Sequence, residues 1–384
     1  MRIFVSACGE GLGHSSRIAA LLAAMKKRGH SGIVATYGPA YERLKKMGFS
    51  VFQTYPEVSM MGSGGQLSIL HSFLATSKNA GVFLHTVGHE QKKMRKIGAQ
   101  AVVSDSRLAT TIAGNRLGLP VFYISNQTTY PEVNLSRINS GSLGEAAVNK
   151  IMQKPASLPV HFADTVVIPD FSPPSTISLP LLSHEPWIKK KTHFIGPMNM
   201  ASVAPGKPAV WKSGKPKVLV TMGGQAFREG AYHRAVEITS NLQGFDFLIS
   251  SIFAHKDFDS GSAKVRRFLP NLHSFQLASD ILVMPAGHSG IMESILLGKP
   301  SLLLPDAVQP EQLSNAHRYK ALGFGDFLPL SQMEKLPEKL QSLWQNYSRH
   351  KRRLESFSLR EKNSMNGAEN LVKLCEEFVK RTSY

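Results

Sequence analysis

The sequence predicts an α/β protein of two domains, each built on an open, mostly parallel sheet. Three observations lead to this fold class. The chain has 384 residues, beyond the size at which a single hydrophobic core stops growing. Short apolar runs alternate with amphipathic helical patterns in both halves, which is typical of βαβ units. An aperiodic stretch rich in Pro, Gly, Ala and Lys, at 195–217, separates the two series.

The first series begins with the apolar strand RIFVSAC and a helix from about Ser15 to Arg28. The strands GIVATY, VFQTY, AQAVVSDS and PVFYIS follow, separated by helical patterns. The second series contains the strands KVLVTM, FDFLIS, DILVMP and PSLLLPD, and its helices end with RHKRRLES and AENLVKLCEEFVKR. The predicted parts are an N-terminal domain, a linker, a C-terminal domain and a last helix, at 1–196, 197–216, 217–360 and 361–384.

Composition narrows the functional classes. There are 45 Lys and Arg against 27 Asp and Glu, a formal net charge of +18, which favours anionic partners. Cys8 and Cys375 lack metal-binding spacing, so we expect free thiols in a reducing compartment. No apolar run reaches the length of a membrane-spanning helix, and the N-terminus lacks a signal-peptide pattern. We therefore expect a cytoplasmic protein.

A glycine-rich loop follows the first strand. Gly9, Gly11 and Gly13 give G-x-G-x-G, and His14 stands where the dinucleotide fingerprint requires its third glycine. The acidic residue that would bind a ribose is missing after GIVATYG. This pattern argues against a nicotinamide cofactor, but the glycines still allow a tight turn and close approach of the backbone to a ligand.

Two titratable residues follow strand ends. His14 lies near a helix N-terminus, where the helix dipole favours neutral imidazole, the form that a general base needs. Asp105 lies at the end of a buried strand, where open α/β sheets place their ligands, and could orient His14. The alternative interpretation is that His14 caps or hydrogen-bonds its turn, and that Asp105 is the N-cap of the next helix.

A second strand–turn–helix unit lies in MPAGHSGIMESILLG. His288, Ser289 and Gly290 occupy the predicted helix entrance, where backbone N–H groups suit a diphosphate. Glu293 lies one turn further and could accept both hydroxyls of a ribose. Alternatively, Glu293 complements the helix dipole, which is worth up to about 1 kcal/mol.

Polar groups cluster around two further turns of this half. In DAVQPEQLSNAHR, Glu311, Gln312 and Asn315 surround another helix start, and the last two are three residues apart on one face. Amide and carboxylate groups suit hydroxyl-rich ligands. Gly223 and Gly224 follow the first strand of the half and indicate another turn that a ligand can approach closely.

These motifs resemble a known family. GHSGIMESILLGKPSLLLPDAVQPEQLSNA is similar to the donor-binding signature of GT-B glycosyltransferases, both UDP-glycosyltransferases and the N-acetylglucosaminyltransferase of the lipid-linked peptidoglycan precursor. GEGLGHSSR resembles the loop of the latter, and AQAVVSDSRLATTIAGNRLGLPVFYIS and FIGPMN resemble segments of the former. The resemblance implies two Rossmann-like domains facing across a cleft, an acceptor-binding and a nucleotide-sugar-binding domain, with the last helix packing on the first.

The resemblance also implies residue roles. His14 would deprotonate the acceptor hydroxyl with Asp105 behind it, in an acceptor loop that contains Gly11 and Gly13. Single displacement would invert the anomeric carbon, and no metal or other cofactor is expected because helix amides take up the leaving-group charge. The implied donor contacts are His288, Ser289 and Gly290 for the diphosphate, Glu293 for the ribose, Gln312 with Glu311 or Asn315 for the sugar, and Gly223 and Gly224 nearby.

Two departures leave the subfamily open. Ile291 follows HSG where plant-type sequences have Trp, and His288 replaces the Arg of the peptidoglycan enzyme. The predicted activity is therefore inverting transfer from a nucleotide-diphosphate sugar, such as UDP-N-acetylglucosamine, to an acceptor hydroxyl. The alternatives are a nucleotide-sugar epimerase or hydrolase of the same fold, which needs no acceptor, and a basic nucleic-acid-binding protein. No RNA-binding motif accompanies the charge, so we expect no nucleic-acid partner.

The acceptor is the least defined part of the prediction. An apolar, Met- and Gly-rich stretch at 58–76 and basic runs at 92–96 and 189–191 suit an anionic membrane surface and a lipid-phosphate acceptor. The protein would then be peripheral on the inner face of the membrane. The alternative interpretation is a solvated basic face beside an ordinary buried helix.

Overall fold

The computed structural model describes residues 1–10, 12–57, 62–63, 66–67, 80–129, 158–198, 211, 214–223, 228–269, 271–306 and 309–382. The chain forms two compact units. The first contains Met1–Met60, Ile69–Met200 and Asn363–Tyr384, and the second contains Met61–Ser68 and Ala201–Lys362. Each contains an open sheet with helices, and these two parallel-sheet α/β units confirm the predicted fold class.

The first unit contains a seven-stranded parallel sheet. The strands up to residue 194 are β1 (Arg2–Ala7), β2 (Ser31–Thr36), β3 (Val51–Gln53), β4 (Gly62–Ser63), β5 (Gln66–Leu67), β6 (Ala101–Asp105), β7 (Val121–Ile124), β8 (Thr165–Ile168) and β9 (Thr192–Phe194). The order in the sheet is β3-β2-β1-β6-β7-β8-β9. Strands β4 and β5 lie in the segment Met61–Ser68, which belongs to the second unit, and form a separate antiparallel pair. The strands that form the centre of the seven-stranded sheet are buried on both faces, which explains their continuous apolar sequences.

Helices cover both faces of this sheet. They are α1 (Leu12–Lys27), α2 (Gly38–Lys46), α3 (Ala80–Ile97), α4 (Leu108–Arg116), α5 (Pro186–Lys191) and, from the end of the chain, α12 (Gly367–Thr382). The buried side of α12 includes Leu371, Val372 and Cys375, which share a core with Ile18 and Leu21 of α1. The last helix therefore completes the hydrophobic core of the first unit.

The second unit repeats the architecture. Its strands are β10 (Lys217–Thr221), β11 (Asp246–Ser250), β12 (Phe258–Ser260), β13 (Ala263–Arg266), β14 (Ile281–Pro285), β15 (Ser301–Leu304) and β16 (Gly325–Phe327), in the order β12-β13-β11-β10-β14-β15-β16. Only β12, at the edge, pairs antiparallel among these strands. Its helices are α6 (Glu229–Asn241), α7 (Leu272–Ala278), α8 (His288–Leu296), α9 (Pro310–Ala321), α10 (Leu336–Gln345) and α11 (Tyr347–Arg360).

In each sheet the strand order reverses next to the first strand. The reversal lies between β1 and β6 in the first unit and between β10 and β14 in the second. Loops leave such neighbouring strands toward opposite faces, which opens a crevice at their carboxyl ends, where ligands bind in open α/β sheets. His14 and Asp105 lie at the ends of the first pair of strands, and Gly223 and His288 follow the second pair, whereas the predicted residues at 311–315 follow β15.

Candidate active site

His14 and Asp105 meet at the strand reversal of the first unit. His14 is the third residue of α1 and Asp105 is the last residue of β6. The His14 Nδ1 atom lies 3.0 Å from Asp105 Oδ1. The carboxylate is fully buried, whereas the histidine side chain is 23% exposed, so its ring can be reached by a ligand. The structure therefore brings the two predicted catalytic residues together.

Arg17, which the sequence analysis did not select, completes this cluster. Its Nη2 and Nε atoms donate to Asp105 Oδ1 and Oδ2 at 2.7 and 3.2 Å, and Nη2 lies 2.9 Å from His14 Nδ1. Burial raises the pKa of Asp105, but the positive charge of Arg17, followed by that of His14, outweighs burial and lowers this pKa to about 2. Asp105 is thus a carboxylate at every pH near neutrality.

The two contacts of His14 Nδ1 require opposite roles of that atom. Asp105 as a carboxylate can only accept, so a proton on Nδ1 would donate to it, whereas Arg17 can only donate and would pair with an unprotonated Nδ1. In the tautomer that donates from Nδ1 to Asp105, Nε2 keeps its lone pair and can accept a proton. Asp105 would then stabilise the imidazolium that results.

Asp105 is not the N-cap of the helix that follows it. Helix α4 begins at Leu108, and the amides of Leu108 and Ala109 donate to Glu57 Oε2 at 2.8 and 3.1 Å. Glu57, from the loop after β3, therefore caps α4 in place of Asp105. Among the residues that the structure describes, the His14 ring has its hydrogen-bond contacts with the Asp105 and Arg17 side chains.

The glycine loop before His14 is only partly described. Gly9 needs to be glycine, because an added Cβ would lie 2.3 Å from the Tyr37 carbonyl oxygen in the neighbouring loop. Gly13 lies in the first turn of α1. Gly11 is outside the described residues, as are nearly all positions of the predicted acceptor stretch 58–76.

In the second unit, α8 starts at the strand reversal as predicted. Gly287 is its extended N-cap, and the Ile291 N–H donates to the Gly287 carbonyl at 3.2 Å, so the amides before Ile291 form the open first turn. His288 is buried, and Ser289 and Gly290 are half-buried. This turn has the geometry of an anion-binding helix N-terminus.

A second glycine turn borders this helix entrance. Gly223 follows β10 with φ +73°, and an added Cβ would lie 3.6 Å from Pro285 at the end of β14. The positive φ favours glycine. Gly224, the other predicted glycine, lies outside the described residues.

Glu293 lies in the second turn of α8, beyond the reach of the helix dipole. This position argues against the dipole-complement interpretation. Its Oε2 accepts a hydrogen bond of 3.1 Å from Gln276 Nε2 on α7, a partner that no spacing in the sequence indicated. The contact ties the Glu293 carboxylate to α7.

The three residues predicted on α9 differ in burial. Glu311 is half-buried in the first turn, whereas Gln312 and Asn315 are 6% and 0% exposed. Asn315 Nδ2 donates to the Ala286 carbonyl at 3.2 Å, which ties α9 to the turn before α8. The structure thus gives Asn315 a positioning contact, and its role as a sugar ligand stays a prediction.

Gln312 contacts Arg228, the N-cap residue of α6, which was also missed. Arg228 Nη2 donates to Gln312 Oε1 at 3.0 Å. Burial lowers the pKa of Arg228 to about 10, although the nearby Asp306 opposes this effect, so the guanidinium remains charged near neutral pH. In the described part of the chain, no three His, Cys, Asp or Glu side chains come together as a metal site.

Two family models match the chain on either side of its middle. The model described as Glycosyl transferase family 1 matches residues 1–179, and that described as Glycosyltransferase family 28 C-terminal domain matches residues 213–372. The chain belongs to the GT-B glycosyltransferases. This confirms the resemblance and the prediction of a transferase enzyme.

Similar proteins are also glycosyltransferases. An uncharacterized glycosyltransferase of Methanosarcina acetivorans is 29% identical over 337 residues, 86% of each chain. The UDP-N-acetylglucosamine--N-acetylmuramyl-(pentapeptide) pyrophosphoryl-undecaprenol N-acetylglucosamine transferase of Clostridium tetani is 28% identical over 123 residues, 31% of this chain and 33% of that protein. Spinosyn rhamnosyltransferase SpnG, complexed with thymidine diphosphate, shares the fold, with a TM-score of 0.69 at 16% identity over 97% of this chain and 100% of that one.

Proposed function

We propose that this glycosyltransferase transfers a sugar from a nucleoside-diphosphate donor, such as UDP-N-acetylglucosamine, to an acceptor hydroxyl with inversion at the anomeric carbon. The observation that carries the proposal is the contact of the partly exposed His14 with a fully buried, ionised Asp105 at the strand reversal. A neutral imidazole oriented by a carboxylate is the arrangement that general-base catalysis requires.

The proposed reaction is a single displacement. His14 Nε2 takes the proton of the acceptor hydroxyl while that oxygen bonds to the anomeric carbon of the sugar. The bond from this carbon to the diphosphate breaks, and the nucleoside diphosphate leaves with the electron pair. Asp105 stabilises the imidazolium that forms at His14, and Arg17 keeps Asp105 ionised.

The first turn of α8 is the proposed diphosphate site. Its amides at His288, Ser289 and Gly290 and the helix dipole favour negative charge, and we propose that they stabilise the leaving group without an obligatory metal. Glu293 is the proposed ribose ligand. The name of the Clostridium tetani relative, with UDP-N-acetylglucosamine, and the thymidine diphosphate in SpnG support a nucleotide-sugar donor but leave the nucleobase open.

A thermal-shift screen tests donor binding, because a ligand that binds the folded state raises its unfolding temperature. We expect stabilisation by one nucleoside diphosphate and its sugars, and full activity in EDTA. Proton NMR of the first product distinguishes inversion from retention. Donor breakdown at the same rate with and without acceptors would instead identify a hydrolase or epimerase.

The acceptor proposal rests on a cationic edge of the first unit. Helices α2 and α3 pack on opposite faces of the sheet beside the edge strand β3, through Val51 on one side and Phe52 on the other. Leu84 on α3 is 69% exposed. The exposed cations on these helices are Lys45, Lys46, Lys92, Arg95 and Lys96.

This edge suits an anionic lipid surface, and we propose a lipid-phosphate acceptor. The name of the Clostridium tetani relative includes a pyrophosphoryl-undecaprenol acceptor, which supports the same class. The run at 189–191 contributes less, because Lys191 Nζ donates to the Ala163 carbonyl at 2.8 Å. Membrane contact would be peripheral: none of the described helices has the length and apolar character needed to cross a bilayer.

Vesicle flotation tests this surface. We expect the protein to float with phosphatidylglycerol vesicles in low salt and to stay behind with phosphatidylcholine alone. The charge reversals Lys92→Glu and Lys96→Glu should together weaken flotation severalfold, whereas Lys256→Glu on the second unit should not. Equal binding to both vesicle types would contradict the lipid-surface proposal without affecting the donor proposal.

A further inference from the structure

The side-chain amide of Gln312 is oriented by two groups that can only donate. Its Oε1 accepts from Arg228 Nη2 at 3.0 Å and from the backbone N–H of Asp306 at 3.2 Å. Because neither donor atom can accept a hydrogen bond, the oxygen of the amide must face them. The nitrogen lies on the other side and donates to Gln309 Oε1.

These contacts use nearly all of the hydrogen-bonding capacity of Gln312. An amide oxygen has two lone pairs, and both are engaged; the nitrogen has two hydrogens, and one is engaged. The second N–H has no partner among the residues that the structure describes. The side chain is almost fully buried, since the residue is 6% exposed. Gln312 can therefore donate one hydrogen bond to a ligand and accept none.

Arg228 fixes this polarity. It is 1% exposed, it precedes α6, and its guanidinium engages the amide oxygen of Gln312, so that only the amide nitrogen has a hydrogen left to donate. We propose that Arg228 is a positioning residue that presents Gln312 as a single N–H donor to an oxygen of the donor sugar. This inference rests on the proposed function and adds a rule of specificity to it: the sugar must offer an acceptor oxygen at that position.

A donor sugar without that oxygen leaves the N–H of Gln312 buried and unpaired, which is costly. The inference therefore predicts a change in sugar recognition and not in nucleotide binding. Titration calorimetry with UDP and UDP-N-acetylglucosamine separates the two, since UDP lacks the sugar. The ratio of the two Kd values measures the contribution of the sugar alone. The same pair of titrations with dTDP and dTDP-glucose covers the second nucleobase.

We compare the wild type with R228M, Q312E and R234M. Q312E keeps the contact with Arg228 but has no N–H to donate, and R234M removes an exposed arginine from the same helix. In R228M and Q312E we expect the Kd of the nucleotide sugar to rise about tenfold relative to that of the nucleoside diphosphate. R234M should keep the wild-type ratio. Thermal unfolding establishes that each variant is folded. If R228M does not fold, the comparison of Q312E with the wild type still tests the inference.

A wild-type ratio in Q312E, or an equal loss of nucleoside diphosphate and nucleotide sugar in R228M, overturns the inference. The proposed function stands in that case, because the wild type still binds its donor and transfers the sugar. If the wild type binds none of the four ligands, both the proposed nucleotide-sugar donor and this inference are wrong. Two modified donor sugars give a further test: one in which the hydroxyl is removed and one in which fluorine replaces it. Fluorine can accept a hydrogen bond but cannot donate one, so tighter binding of the deoxyfluoro sugar than of the deoxy sugar would support the inference.

Discussion

The two strand reversals of this glycosyltransferase carry different kinds of chemistry. At the carboxyl ends of β1 and β6, three ionisable side chains, His14, Arg17 and Asp105, contact one another within 2.7–3.2 Å. At the ends of β10 and β14, the corresponding place is occupied by glycine turns and the open first turn of α8. One architecture thus presents titratable groups in one unit and backbone donors in the other.

This difference separates two tasks that a transferase must perform. Moving a proton requires a group that changes its charge near neutral pH, and such a group must be oriented by fixed neighbours. Holding a diphosphate requires donors that do not titrate and that allow close approach, which amides and glycines provide. The comparison predicts that substitutions in the first unit change rates and their pH dependence, whereas those in the second change affinity.

The largest expected effect is that of His14→Ala. Loss of a general base should lower the rate of sugar transfer about a thousandfold, while the Kd for UDP-N-acetylglucosamine stays within about twofold of the wild type. Initial rates and calorimetry measure the two quantities. His233→Ala, which removes a histidine that is 64% exposed on α6, is the matched control. Full activity of the His14 variant would remove the base assignment.

Arg17→Met should have the next largest effect. The Arg17 charge is the largest of the effects that lower the pKa of Asp105 to about 2. Without the guanidinium this pKa should rise, so the acid limb of the pH profile of kcat/KM should move to higher pH. Because His14 also loses a neighbour that orders the carboxylate behind it, the rate at pH 7 should fall about tenfold or more. An unmoved acid limb would show that Arg17 is only structural.

The same substitution also tests stability. Asp105 loses both hydrogen bonds to its cation and remains fully buried, and breaking a buried pair in this way costs about 3–5 kcal/mol. We therefore expect a clearly lower unfolding temperature for Arg17→Met. Arg17→Lys keeps the positive charge but loses the two-point contact with Asp105. Its unfolding temperature and its rate of sugar transfer should both lie between those of Arg17→Met and the wild type.

Much of the first site could be predicted because strand ends are visible in sequence. His14 and Asp105 each follow an apolar run, and parallel strands place such residues at one edge. The third member, Arg17, was missed although it lies three residues after His14 on the same helix. Its contact with Asp105 spans 88 positions, and spacing within one element carries no information about such a pair.

The second site was predicted less completely for the same reason. The start of α8 could be identified from local glycines, but Arg228 and Gln276 act through partners on other helices. The missed strands show a related limit. The strands β9 and β16 have three residues each, too few for an alternating pattern, and they exist because a neighbouring strand offers its backbone.

Ser289→Pro is expected to weaken nucleotide binding without affecting the chemistry of the first unit. Proline is tolerated in the first turn of a helix but removes the N–H of that position. If amides hold the diphosphate, the Kd of UDP should rise about tenfold. Ser289→Ala keeps the N–H and removes only the hydroxyl, so its effect should be smaller. A larger effect of Ala than of Pro would assign the binding to the side chain.

The smallest expected effect is the pH dependence of donor binding. Amide, hydroxyl and glycine groups do not titrate between pH 7 and 9, and a sugar-linked diphosphate keeps its charge over this range. The Kd of UDP-N-acetylglucosamine should therefore change by less than about twofold between pH 7 and 9. A tenfold loss of affinity by pH 9 would contradict binding by amides and would assign the diphosphate to the side chain of His288 at the entrance of α8.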